Sequence, residues 1–141
     1  LAVDYDRYGA GEADLAWLDA QISLDLTETD GQAVIHDLIM GLAAELRAQQ
    51  NAIGHLKLMV DDFKVSLTAL GESAAPLALP PLPGPRLNVT LNLRAQAEAA
   101  ALEALARRAL AQAAAAHQAT ARITAIQAFH PSYPRPAHRY L

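Results

Sequence analysis

The chain has no cysteine among its 141 residues, which excludes disulfides, thiolate nucleophiles and cysteine-bound metals. Aromatic residues are scarce, at 5%, and no apolar run is long enough to span a bilayer. No basic-then-apolar leader opens the sequence, so we expect a cytoplasmic protein without a membrane partner. Charged residues are few, at 18%, but apolar residues reach 52%, which favours one folded domain over intrinsic disorder.

Motifs of common enzyme classes are also missing. No Gly-x-x-x-x-Gly-Lys-Ser/Thr phosphate loop is present, and the lysines, Lys57 and Lys64, both fall in predicted strands. There is no Gly-x-Ser-x-Gly elbow, and Asp61-Asp62 is typical of a tight turn. We therefore predict that this chain is not an enzyme and holds no cofactor, a divalent metal excepted.

Charge is distributed unevenly around a net value of −4. Residues 1–75 carry 13 acidic and 4 basic side chains, whereas residues 76–141 carry 2 and 7. The acidic balance argues against nucleic acid as a partner. The asymmetry indicates contact with a charged partner or between copies of the chain, unless it reflects ordinary solvated surface.

Proline falls in two clusters, one at residues 76–85 and one at residues 131–136. Proline lacks the backbone donor that helices and inner strands need. The segment 71–86 is therefore predicted to be an extended, polyproline-like loop, and residues 129–141 a non-helical tail. With residues 1–16 as a lead-in, the folded domain is predicted to span residues 17–128.

Apolar and polar residues alternate with a period of two in five segments, which predicts five strands with one buried face. The segments are 18–27, 55–60, 63–70, 87–94 and, less regularly, 121–129. In the last segment Ile123 and Ala125 are predicted to share one face, opposite Arg122 and Thr124.

Two helices are predicted between the strands. The first begins after Thr29 or Asp30 as N-cap, with Thr29 and Gln32 as a capping box, and ends near Gly54 as C-cap. The second spans about Gln96 to His117 and is rich in alanine. The apolar stripe of the first helix comprises Ile35, Leu38, Leu42 and Leu46.

Two strand–helix–strand units plus an extra strand predict an α+β fold, a ferredoxin-like two-layer sandwich with a five-stranded sheet. We expect the spatial order fifth–first–fourth–second–third, with both helices on one face. The other face is predicted to be polar and without aromatic residues, which disfavours RNA recognition. It would either contact a partner or face solvent.

This topology brings separate segments together at one end of the sheet. Trp17, His55, Arg94 and Phe129 are expected there, beside the tail. Neutral imidazoles with a carboxylate can bind zinc. A metal site is one interpretation of this cluster, and surface or capping histidines are the other; the metal ligands would be His55, His130 and His138.

Three stretches of the chain carry a resemblance to a known family. Tyr8-Gly-Ala-Gly-Glu-Ala-Asp-Leu-Ala-Trp17-Leu-Asp19 resembles a Tyr-x-x-x-Glu-Ala-x-Leu-x-Trp-Leu-Asn run, with Asp19 in place of asparagine. Gly54-His55-Leu56-Lys57 is similar to a Gly-His-Leu-Lys strand start, and residues 129–139 to a closing Phe-x-Pro-x-x-Pro-x-Pro-x-His-Arg. All three resemble the C-terminal region that accompanies CobW-like (cobalamin-synthesis type) GTPases.

The resemblance implies a non-catalytic accessory domain of a metal-delivery or cofactor-assembly GTPase, with the GTPase as its protein partner in cis or in trans. The implied contact residues are Trp17, Phe129, Tyr133, Arg135 and Arg139. Alternatively, Trp17 and Phe129 plug the end of the core. A different function also remains open, that of a dimeric small-ligand or metal-sensing module in which the chain forms a homodimer.

Overall fold

The computed structural model describes residues 15–27, 31–49, 53–67 and 79–131. Within them the elements follow the predicted order of strand, helix, two strands, strand, helix and strand. The elements are β1 (Leu15–Asp25), α1 (Gln32–Ala48), β2 (Ile53–Val60), β3 (Phe63–Leu67), β4 (Arg86–Gln96), α2 (Ala99–Ala116) and β5 (Thr120–Phe129). β1 begins two residues before the predicted domain boundary, and β5 extends one residue into the predicted tail.

The strands form a five-stranded sheet in the order β3–β2–β4–β1–β5, and every neighbouring pair is antiparallel. This order confirms the α+β two-layer sandwich compatible with a ferredoxin-like fold. β1 and β2 are consequently parallel to each other, with β4 between them. The starts of β1 and β2 therefore lie at the same end of the sheet as the ends of β4 and β5.

One face of the sheet is buried against the two helices. Side chains alternate along β1 and β4, so that every second residue is buried. The apolar stripe predicted for α1 is confirmed, since each of its four residues is at most 1% exposed. α2 contributes leucines and small alanines, which let it lie close to the sheet. No helix of the described residues packs on the opposite face, which we call the open face.

The two helices are also joined at their surfaces. The Arg108 guanidinium donates to both carboxylate oxygens of Glu45, at 2.9 and 3.3 Å. Nearer the start of α1, Asp37 lies 2.6 Å from His117 Nε2 and 3.3 Å from His36 Nδ1. The hydrogen bond with His117 lowers the pKa of Asp37, with a smaller contribution from His36 that acts in the same direction.

The predicted ends of α1 are wrong. The helix begins at Gln32 with Gly31 as its N-cap, whereas the predicted caps Thr29 and Asp30 lie outside the described residues. A side chain at Gly31 would collide with Leu87, so glycine permits the close approach of this corner to the sheet. At the other end Gln49 is the C-cap, and Gly54 lies within β2.

The described part of the proline-rich loop is not a free linker. Leu82 is 6% exposed, and its carbonyl oxygen accepts a hydrogen bond from Gly31 N at 2.8 Å. Gln32 Nε2 donates to the Leu79 oxygen at 2.6 Å, and Leu26 N donates to the Pro85 oxygen at 2.7 Å. Carbonyl oxygens remain as acceptors even where proline removes donors, and they anchor the loop to the end of β1 and the start of α1.

The predicted turn at Asp61-Asp62 is confirmed, because Val60 pairs directly with Phe63 across it. Asp61 adopts a left-handed backbone (φ +50°), which aspartate tolerates better than most residues. Its backbone N donates to the Asn88 oxygen at 2.9 Å, and Asn88 N donates to its carboxylate at 3.2 Å. The turn is thereby fixed to β4.

The prediction for β5 is wrong in its second half, because the strand contains one extra residue. Gln21 pairs with Ala125 and Ile22 pairs with Ile123, so Thr124 is the extra residue in the pairing of β5 with β1. Its Oγ1 donates a hydrogen bond to the Gln21 oxygen at 3.2 Å. Such a bulge reverses the alternation of side chains beyond it. Ile123 consequently faces the helices and Ala125 the open face.

We predict that Leu42→Ala lowers the free energy of unfolding by about 2–5 kcal/mol, since Leu42 is 0% exposed and truncation leaves a cavity. Met40→Ala is the matched control on the same helix, because Met40 is 43% exposed. That variant should lie within about 0.5 kcal/mol of the parent in urea unfolding. Equal losses in the two variants would contradict the assigned helix orientation.

We predict a pH-dependent contribution from Asp37. Because its folded-state pKa lies below the ordinary 3.8, its contribution is present above that value and is lost as the pH falls through the folded pKa. Asp37→Asn should therefore lower the free energy of unfolding at about pH 6 and have little effect on it near pH 2. His117→Gln should reproduce more of this effect than His36→Gln, and the reverse order would contradict the assignment.

Candidate functional site

Four side chains from four strands form a line across the open face, which we call the aromatic row. Strand pairing places His55 opposite Arg94, Arg94 opposite Trp17, and Trp17 opposite Phe129. All four point away from the helices, since their neighbours Leu56, Leu93, Leu18 and Ala128 face the core. The prediction that Trp17, His55, Arg94 and Phe129 meet at one end of the sheet is confirmed.

The centre of the aromatic row is a stack of one cation and two rings. The Arg94 guanidinium carbon lies 4.0 Å from the centroid of the Trp17 ring, within cation–π range. The Phe129 ring centroid lies 6.0 Å from that of Trp17 with the planes tilted by 51°. Phe129 is 36% exposed, so the stack presents apolar surface to solvent.

The Trp17 indole has an unsatisfied donor. Its Nε1 is buried, and within the described residues it has no hydrogen-bond partner. Leaving a buried donor unpaired costs about 1–3 kcal/mol. Buried polar groups are rarely left without a partner. An acceptor that formed a hydrogen bond with the indole N–H would remove this cost.

Away from the aromatic row, polar side chains of the open face form hydrogen bonds with one another. Asn92 Nδ2 donates to Asp19 at 2.7 Å, and Thr90 Oγ1 donates to Gln21 at 3.0 Å. At the end of the sheet opposite the aromatic row, Asp25 lies 2.7 Å from Arg86 Nε and 4.0 Å from Arg122 Nη2. The hydrogen bond from Arg86 is the main cause that lowers the pKa of the Asp25 carboxyl.

Two sequence expectations about this face are corrected. The open face was expected to have no aromatic residue, yet it carries Trp17 and Phe129. The outward position of Trp17 could be predicted from the sequence, because its neighbour Leu18 belongs to the buried side of the alternation. The outward position of Phe129 could not be predicted in this way, because only the extra residue at Thr124 turns its ring outward. The alternative in which both rings plug the core is therefore also wrong.

The predicted metal ligands do not converge within the described residues. His55 lies on β2 and His130 follows β5, with β4 and β1 between them. Three steps of about 4.8 Å separate those strands by roughly 14 Å. No three histidine, aspartate or glutamate side chains in the described ranges could hold a metal ion together. His138 lies outside these ranges, so the metal site stays a prediction.

The tail residues Tyr133, Arg135 and Arg139 also lie outside the described residues, and their contact role stays a prediction. Sequence reasoning placed Arg94 at this end of the sheet but did not include it among the contact residues. Its position on Trp17 follows from the register of β1 with β4. None of the described helices is long and apolar enough to cross a membrane.

No protein-family model and no curated protein sequence matches the chain. Among solved structures, the chain is similar to a hydantoinase/carbamoylase family amidase from Burkholderia ambifaria, with 18% sequence identity and a TM-score of 0.43. The match covers 84% of this chain and 28% of the amidase chain, so this chain spans less than a third of that length. Similarity at this level carries no argument about activity.

We predict that Arg94→Ala and Phe129→Ala each shift the fluorescence emission of Trp17 to longer wavelength, because each removes a group that covers the indole. Trp17 is the only tryptophan in the chain, so the emission reports on the aromatic row alone. Loss of the cation–π contact should cost about 0.5–1 kcal/mol of stability. Arg122→Ala, on the same face but away from Trp17, should leave the emission unchanged; an equal shift there would contradict the stack.

Proposed function

We propose that this chain is a non-catalytic interaction domain that binds a CobW-like GTPase, in cis or in trans, through the aromatic row. The observation that carries the proposal is the convergence of the three stretches that carry the family resemblance. Trp17, His55 and Phe129 come from the first, second and third of them, and they lie in one row across the sheet. Segments more than a hundred residues apart thereby contribute to one surface.

The composition of the aromatic row suits a protein interface. Tryptophan, phenylalanine and arginine are enriched at the centres of interfaces. The two aromatic side chains contribute large contact area with few rotatable bonds, and arginine contributes several hydrogen-bond donors. Phe129 and Arg94 are exposed, and Trp17 lies between them. A partner that covers the row would bury the Phe129 ring and could supply an acceptor for the Trp17 indole N–H after a side-chain shift.

The sequence motifs of the chain indicate which part of the joint function it would perform. It has no phosphate-binding loop, so nucleotide binding and hydrolysis belong to the GTPase. This chain would contribute recognition of the GTPase. The open face provides a surface for that contact without disturbing the core.

A second candidate is a homodimeric module, and β5 favours it. β5 is a ten-residue strand at one edge of the sheet, and none of its residues is buried. Its inward side chains, such as Ile123 and Ile126, pack against the core but stay partly exposed. A long edge strand of this kind can pair with another chain.

The proposal predicts that a purified CobW-like GTPase domain binds the full chain and that the Arg94→Ala/Phe129→Ala double variant weakens this binding at least about tenfold, as expected for the centre of an interface. Isothermal titration calorimetry with GDP- and GTP-loaded GTPase measures the dissociation constants. Both substituted side chains are exposed, so the variant should keep the far-UV circular dichroism of the parent.

Met40→Ala is the matched control, since it removes an exposed apolar side chain from the helix side of the domain. It should leave the dissociation constant unchanged. Failure of the GTPase domain to bind in either nucleotide state, or equal binding by the parent and the double variant, would contradict the proposed function. A concentration-dependent doubling of mass in light scattering that Ile126→Lys abolishes would instead support the homodimer.

A further inference from the structure

Three cations form a diagonal line on the open face, which we call the basic stripe. Lys64 lies on β3 opposite Met59, Lys57 on β2 opposite Asn92, and Arg94 on β4 opposite His55. Each is therefore the diagonal neighbour of the next, with backbone separations of about 7–8 Å. The basic stripe leads across three strands to the stack of Arg94 on Trp17.

The basic stripe lacks counter-ions within the described residues. The open face carries five basic and two acidic side chains there, namely Lys57, Lys64, Arg86, Arg94, Arg122, Asp19 and Asp25. Asp25 pairs with Arg86 and Arg122, and Asp19 accepts from Asn92. No described carboxylate forms an ion pair with a member of the stripe. The described strand positions of the open face thus carry more positive than negative charge, on a chain whose overall charge is −4.

We infer that the basic stripe binds an acidic, extended polypeptide segment of the partner, an inference that rests on the proposed function and specifies the chemistry of the contact. Alternate residues of an extended chain are about 7 Å apart, which matches the diagonal spacing of the stripe. Carboxylates at alternate positions would then face Lys64, Lys57 and Arg94 in turn. An apolar residue at the end of the segment would reach Phe129.

The same observations favour a polypeptide over a nucleic acid. The Trp17 ring is covered by the Arg94 guanidinium and contacts Phe129, so it is no free platform on which a base could stack. The stripe has three cations, and Asp19 lies one strand away from Asn92 and two from Lys57. A nucleic acid longer than the stripe would extend toward the Asp19 carboxylate, which would repel its phosphates. The net negative charge of the chain would repel it as well.

The inference is tested by fluorescence anisotropy with the full chain and three labelled probes: a short peptide that alternates glutamate and serine and ends in phenylalanine, its glutamine counterpart, and a single-stranded oligouridylate. The glutamate peptide should bind most tightly and weaken as salt rises from about 50 to about 300 mM. Lys57→Gln/Lys64→Gln should weaken it about fivefold, the order expected for two exposed ion pairs.

Arg107→Gln/Arg108→Gln is the matched control, because it changes the net charge equally but lies on α2, on the other side of the domain. It should leave the affinity for the glutamate peptide within about twofold of the parent. Equal losses in the two double variants, or equal binding of the glutamate and glutamine peptides, would overturn the inference. Tighter binding of the oligouridylate through Lys57 and Lys64 would overturn it in favour of nucleic acid.

The proposed function and this inference fail separately. Binding of the GTPase domain that depends on Phe129 but is unchanged in Lys57→Gln/Lys64→Gln would overturn the acidic segment alone. Binding of the glutamate peptide as predicted, with no binding of the GTPase domain, would overturn the GTPase partnership alone. A dimer in light scattering that Lys57→Gln/Lys64→Gln dissociates would overturn the inference, because the occupant would then be a second copy.

Discussion

The register of β1 between β4 and β5 is the constraint on which the candidate site depends. β1 is paired along most of its length on both sides, so the positions of its side chains are determined by two neighbours at once. A shift of one residue would exchange the faces of the whole strand and expose its apolar residues to water. Burial of Leu18, Ala20 and Ile22 therefore holds Trp17 on the open face, where it meets Arg94 and Phe129.

This constraint divides the open face into two chemically different ends. At the end with Asp25, one carboxylate lies beside two guanidinium groups, so each of these charged side chains has a neighbour of opposite sign. At the end with Trp17, an indole donor lacks a described acceptor, a phenyl ring is exposed, and Arg94 has a ring but no described carboxylate beside it. This contrast between the two ends is why we propose the end with Trp17 as the contact surface.

Much of the architecture could be predicted from the alternation of apolar and polar residues and from the connectivity of two strand–helix–strand units. The strand order and the meeting of Trp17 with Phe129 followed from those two features. The outward face of Phe129 did not, because a single extra residue at Thr124 is invisible to a period-two pattern. Gly54 was misread for a related reason: it is an extra residue in β2, where the register shifts between Ile53 and His55, and a glycine between a helix and a strand resembles a helix cap.

The most direct test of the account is the NMR signal of the Trp17 indole N–H in the full chain, recorded before and after addition of a CobW-like GTPase domain. The chain has one tryptophan, so the spectrum contains one indole signal. The account predicts that this signal shifts, together with backbone signals of β1, β4 and β5 near the aromatic row. Shifts confined to α1 and α2, with the indole signal unchanged, would contradict it.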